Sequence, residues 1–137
     1  MSEKELSQYY WLKKEIKSLE DKIEEFGDGV SAVKIKDTIG SSGEHSSIQE
    51  KKTELISKLL DARITALEKY IEIERYIESV EDSEIRLIMR YRFLDLMNWN
   101  QIGEELHYDR TSVAKKLRQY ISHNSHHNYD NIKLGDK

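Results

Sequence analysis

Apolar residues recur early in the chain at Tyr9, Leu12, Ile16, Leu19, Ile23 and Phe26, with spacings of 3, 4, 3, 4 and 3. That alternation is the coiled-coil period, in which one narrow stripe of an α-helix faces a partner. Lys and Glu fill most positions between. Ser2 is followed three residues later by Glu5. This pair makes a capping box, with the hydroxyl taking one orphan backbone N–H and the carboxylate another. The pattern predicts a helix from Ser2 to Phe26, closed by Gly27 and Gly29, because glycine adopts the left-handed turn past a helix end without penalty. Residues 27–46 lose the periodicity. Gly40-Ser41-Ser42-Gly43 interrupts them, and Val30, Ile35 and Ile39 suit at most a short extended piece.

A second capping box, Ser47 with Glu50, opens a longer pattern that runs to about Val80. At ~1.5 Å per residue such a helix is roughly 50 Å long. It carries two apolar stripes. One is Leu55, Leu59, Ala62, Ala66, Ile73, Ile77 and Val80; the other is Ile56, Leu60, Ile64, Leu67 and Ile71. The first helix offers a single stripe and can cover only one of them. The surplus stripe, Ile56, Leu60, Ile64, Leu67 and Ile71, is therefore expected to join another copy of the chain, since apolar surface of that extent usually marks an interface.

From Asp82 the elements shorten. Asp82 or Ser83 caps a helix with Ile85, Leu87, Ile88, Tyr91, Phe93 and Leu94 apolar. Asn98, with Gln101 at the third helical position, caps a brief one whose inward residues are Trp99, Ile102 and Leu106. His107-Tyr108 makes a turn. Asp109 caps a third helix, Arg110 to about Ile121, with Val113, Leu117 and Tyr120 inward. Two short helices joined by a tight turn, after a third, describe a helix-turn-helix. The expected fold class is all-α: a long antiparallel helical hairpin over residues 1–81, a helix-turn-helix module over 82–121, and a polar, loose tail over 122–137.

Composition narrows the choices. The chain has 137 residues, 37% hydrophobic and 35% charged, with no proline and no cysteine. Without proline nothing forbids long helices. Without cysteine, disulfides and thiolate metal sites are excluded, which fits a reducing, cytoplasmic setting. The charged N-terminus does not read as a signal peptide, and no run of 18 apolar residues suggests a membrane span. The net charge of −4 is uneven: residues 1–81 hold 13 Lys+Arg against 18 Asp+Glu, whereas 82–121 hold 7 against 6. Between Arg110 and Ile121 lie Arg110, Lys115, Lys116 and Arg118 and no acid. A phosphate backbone feels that local charge, because salt screens the rest within about 10 Å.

The last helix has a distinctive outer face. With Val113 at zero and steps of about 100° per residue, Leu117 and Tyr120 fall within about 40° of it. Opposite lie Thr111, Ser112, Lys115, Arg118 and Gln119, with Arg110 and Lys116 flanking. These donors suit base edges and phosphates in a major groove. Asn98, Asn100 and Gln101 begin the preceding helix, where free backbone N–H groups can take a phosphate. The candidate DNA-binding residues are Arg110, Thr111, Ser112, Lys115, Lys116, Arg118, Gln119, Asn100 and Gln101.

Residues 83–121, in particular Ile102-Gly103, Leu106, Tyr108-Asp109-Arg110-Thr111-Ser112-Val113 and Lys116-Leu117, resemble region 4 of sigma-70-type factors. The whole chain, with Asp82-Ser83-Glu84-Ile85-Arg86 and Trp99-x-x-Ile102-Gly103 after a hairpin, resembles small phage and prophage transcriptional regulators of the RinA and ArpU type. That resemblance implies control of late genes in a bacterial host, Arg110, Thr111, Ser112, Lys115 and Lys116 in the places of DNA-contacting residues, and host RNA polymerase as a further partner. The chain departs from the pattern at His107 and Leu96, where glycine is common. A non-glycine residue there is strained if its backbone is left-handed.

The expected function is sequence-specific binding of double-stranded DNA as a dimer or higher oligomer, in transcription regulation. A DNA-recognition subunit of a phage terminase, or a sigma-like module docking on polymerase, shares many of these features. Trp99 reads as a core or capping aromatic, and Tyr9, Tyr10 and Trp11 as packing residues. His123, His126 and His127 have helix-face spacing but no companion ligand. Glu104-Glu105 reads as helix-surface ion-pairing material. No phosphate-binding glycine loop, zinc motif or nucleophile–base pair is present, so neither enzyme activity nor a cofactor or metal is expected.

Overall fold

The computed structural model describes residues 1–27 and 42–135, and the side chains of 1–27 and 47–124. Every regular element among them is helical, as the periodicities require: α1 (Glu3–Leu6), α2 (Gln8–Gly27), α3 (Ser42–Glu78), α4 (Ser83–Met89), α5 (Trp99–Leu106) and α6 (Arg110–Gly135). A π-helical turn, Arg90–Leu94, continues α4. No described helix is long and apolar enough to cross a membrane.

Several boundaries differ from the sequence expectation. The capping box at Ser2 forms, with Glu5 N–H donating to Ser2 Oγ at 3.2 Å and Ser2 N–H to Glu5 Oε2 at 3.0 Å. The helix is nevertheless interrupted at Ser7, which stays in the right-handed region but with ψ opened to −5° (φ −80°). Such a break escapes a periodicity argument, since serine is tolerated in helices. The long helix begins at Ser42, so Ser47 is helical and not a cap. The rest of the expected loop, residues 28–41, lies outside the described residues. The last helix does not stop near Ile121 but continues to Gly135. Residues 122–134 contain neither glycine nor proline, so no strong breaker precedes Gly135.

The chain forms two compact units: Trp11–Glu68, and Met1–Tyr10 with Lys69–Lys137. The division expected after residue 81 thus falls earlier, and the first ten residues join the C-terminal module.

In Trp11–Glu68, Arg63 bonds Glu20 at 3.3 Å. Gly27 lies beside Lys52, whose Nζ is 3.9 Å from where a Cβ on that glycine would sit. Advancing along α2 retreats along α3, so the two are antiparallel. Ile16, Leu55, Leu59 and Ala66 are buried between them. On the same helix, Ile56, Leu60, Ile64, Leu67 and Ile71 are exposed.

The other unit closes one core. Leu6 of α1, Ile73 and Ile77 of α3, Val80, Ile85, Ile88 and Met89, Phe93 and Leu94, Ile102 of α5, and Val113, Leu117 and Ile121 of α6 cluster together. The chain enters α4 through Asp82, whose Oδ1 accepts from the N–H groups of Glu84 at 2.9 Å and Ile85 at 3.2 Å. Arg86 reaches back to the carbonyls of Val80 at 2.6 Å and Glu81 at 3.2 Å. The α4 end unwinds through Asp95 N–H to Arg90 C=O and Met97 N–H to Tyr91 C=O, both 2.9 Å, with Leu96 at φ 58°. The turn after α5 puts His107 at φ 59° and ψ 39°. Both positions flagged in the sequence as non-glycine are left-handed.

Candidate nucleic-acid interface

The turn between α5 and α6 sets where the last helix starts. Tyr108 N–H donates to Gly103 C=O at 2.9 Å, which closes α5 around the left-handed His107. Asp109 then caps α6: its Oδ2 accepts from Thr111 N–H at 3.3 Å, and its carbonyl from Val113 N–H at 3.1 Å. A Cβ on Gly103 would sit 2.7 Å from Tyr108 O and 3.3 Å from Arg110 N. Gly103 is therefore what lets α5 approach the start of α6.

Burial of Val113, Ala114, Leu117 and Ile121, with Tyr120 half-buried, fixes the rotation of α6. Arg110, Thr111, Ser112, Lys115, Lys116, Arg118, Gln119, Ser122 and His123 consequently face outward and are exposed. At the start of α5, Asn98 Oδ1 accepts from Gln101 N–H at 2.8 Å and Gln101 Oε1 accepts from Asn98 N–H at 2.9 Å. This reciprocal cap holds the Gln101 side chain, so its amide oxygen is engaged before any ligand arrives.

An open groove of about 1070 Å³ is lined by Asn98, Trp99, Asn100, Arg110, Thr111, Ala114, Lys115, Arg118, Gln119, Ser122 and His123. Six of the nine residues expected to contact DNA line it: Asn100, Arg110, Thr111, Lys115, Arg118 and Gln119. Gln101, Ser112 and Lys116 are exposed but do not line it.

Acids approach the flanks of this face. Lys116 Nζ donates to Glu84 Oε1 at 2.7 Å, and that carboxylate raises the Lys116 ammonium above its ordinary value. Arg118 lies 3.4 Å from the Glu3 carboxylate. The helix carries no acid of its own over Arg110–Ile121, yet Glu3 and Glu84 neutralise two of its four cations. Among the described residues Arg110 and Lys115 have no ion pair.

Trp99 packs against the core as expected and has a second role. Its ring holds the Arg92 guanidinium at 4.6 Å and the Arg118 guanidinium at 5.8 Å from the centroid. Cation–π attraction of this kind orients a guanidinium that solvent would otherwise leave mobile. Arg92 also donates to Met97 C=O at 3.2 Å, and burial lowers its pKa from the ordinary arginine value. Nothing in the local sequence pattern announces these two contacts. Ser122 and His123, read as tail, are part of the groove. No cluster of three potential metal ligands occurs among the described residues, and the side chains of His126 and His127 lie outside them. Glu104 and Glu105, read as ion-pairing residues, make no ion pair among the described residues.

Comparison with family models, with curated proteins and with solved structures finds no match to this chain.

Proposed function

We propose that this protein binds duplex DNA by laying the outer face of α6 in a major groove, and that it acts as a self-associating transcription regulator. One observation carries this reading. Burial of Val113, Ala114, Leu117 and Ile121 leaves Arg110, Thr111, Lys115 and Gln119 exposed on one acid-free face, in one groove with Asn98, which caps α5, and Asn100. Donors of this kind hydrogen-bond base edges, while cations and helix N-termini hold phosphates. The left-handed residues at His107 and Leu96 stand where the sigma-70 region 4 pattern commonly has glycine, which supports the same turn geometry. The resemblance to phage and prophage regulators supports an operator near late genes. The exposed stripe Ile56, Leu60, Ile64, Leu67 and Ile71 supports pairing between copies, which strengthens a module with few free cations by linkage.

The test selects fragments from a random duplex pool and measures retention of the best one. Arg110→Ala/Lys115→Ala is expected to lose at least tenfold in affinity while its circular dichroism stays native. Equal affinity in a natively folded double variant removes the proposal and leaves docking on a protein such as polymerase as the use of this face.

A further inference from the structure

We infer that α3 pairs in parallel with α3 of a second copy of this chain, through a seam on the side away from α2. The inference rests on the self-association proposed above and adds its orientation. Leu60, Ile64, Leu67 and Ile71 follow one another at spacings of 4, 3 and 4 and are 52%, 57%, 60% and 38% exposed. At about 100° per residue they fall within an arc of about 60°. The heptad assignment is forced by the spacing: Leu60 and Leu67 take position d, Ile64 and Ile71 position a. Isoleucine at a with leucine at d is the arrangement that favours two parallel strands.

The flanking charges agree. Position g holds Arg63 and Tyr70; position e holds Asp61, Glu68 and Arg75. Parallel strands set g of one helix beside e of the next heptad on the other. Arg63 then meets Glu68 of the second copy, and Tyr70 meets Arg75. Antiparallel strands set e against e, and every register that sets this stripe against itself brings acid to acid: Asp61 against Glu68, Asp61 against its own counterpart with Glu54 against Glu68, or Glu68 against its own counterpart, with Arg75 facing one acid in the first and last. Like charges so placed are destabilising. Arg63 already holds Glu20 at 3.3 Å within its own hairpin, and a guanidinium has donors for both. Parallel pairing puts the two Glu78 ends side by side. Two copies of the C-terminal module then start from the same end, as an operator with half-sites about one helical turn apart requires.

The chain has no cysteine, so single cysteines report the geometry directly. Ser57 and Glu78 both occupy position a and are exposed. In the full-length chain, Ser57→Cys and Glu78→Cys are each expected to form covalent dimers under mild oxidation, and a mixture of Ser57→Cys with Glu74→Cys is expected to give no mixed dimer. The reverse pattern overturns the parallel seam in favour of an antiparallel one. Leu60→Glu/Leu67→Glu is expected to sediment as a monomer with native helicity; sedimentation as a dimer overturns the seam itself. Arg110→Ala/Lys115→Ala placed in the Ser57→Cys background should cross-link unchanged. Absent cross-linking with intact DNA retention defeats only this inference, and intact cross-linking without retention defeats only the DNA reading.

Discussion

Replacing Gly103 by alanine tests the helix-turn-helix geometry at its narrowest point. The added Cβ would lie 2.7 Å from Tyr108 O, 3.3 Å from Arg110 N and 3.5 Å from Arg110 Cα. All three are backbone atoms, so no side chain can swing aside. The turn itself is held by Tyr108 N–H donating to Gly103 C=O at 2.9 Å and by Asp109 capping α6. Relief therefore requires the start of α6 to shift by a few tenths of an ångström. Overpacking costs about 1–3 kcal/mol, and here, where only backbone can yield, about 2–3 kcal/mol. Alanine returns about 1 kcal/mol through its better helix propensity. The net expectation is a loss of about 1–2 kcal/mol, or a fall in Tm of roughly 3–8 °C. Thermal and urea denaturation followed by circular dichroism measure it. DNA affinity should fall as well, even at temperatures where the variant is fully folded, because Arg110 and Thr111 ride on the displaced turn. A Gly103→Ala protein as stable as the parent would refute the claim that α5 and α6 meet here.

Four further outcomes follow from the same structure. His107 is exposed at φ 59°, so His107→Gly removes left-handed strain and should gain about 0.5–1 kcal/mol in urea denaturation, after the greater freedom of glycine in the unfolded chain is set against it. Leu6 is fully buried in the C-terminal unit, and Leu6→Ala should cost about 2–5 kcal/mol in the same assay, although it lies 77 residues before Ser83, where α4 begins. Burial raises the Tyr76 phenol above its ordinary value of 10.0, so its contribution is present below that pH and lost as pH rises past it; the Tyr76→Phe variant should show a shallower loss of stability between neutral and strongly alkaline pH. Salt dependence of DNA binding counts the cations in use: Arg110 and Lys115 alone give a log–log slope of about −1.8 per module, whereas release of Lys116 and Arg118 from Glu84 and Glu3 gives about −3.6.

The fold was legible wherever its cause is local. A capping box spans four residues, and those at Ser2 and Asn98 form as the sequence indicates. The two stripes of α3 separate as the helical period requires, Leu55 and Leu59 buried and Ile56 and Leu60 exposed, because rotation about one helix axis is fixed by the first stripe that finds a partner. The break at Ser7 and the start at Ser42 were not legible. Neither is imposed by a residue that cannot do otherwise, and the packing of Leu6 into the core decides the first from outside the helix. The same nonlocal packing moves the unit boundary, since a stripe residue that reads as part of a hairpin belongs to whichever core it fills.

The candidate interface divides along the same line. Which residues of α6 face outward follows from Val113, Leu117 and the helical period, all within one short stretch. How much charge that face presents does not. Glu84 reaches Lys116 across 32 residues and Glu3 reaches Arg118 across 115, so the acid-free helix seen in the sequence stands between two acids in the fold. Two of its four cations are therefore already committed, and under the proposed function DNA binding through them would exchange a carboxylate for a phosphate. Arg110 and Lys115 carry no such cost. They lie at the groove with Asn100, so if the proposed reading holds, the earliest contacts with a duplex fall at the α5–α6 end, and the Arg118 end, held by Trp99 and Glu3, engages only where the sequence in the groove repays the exchange.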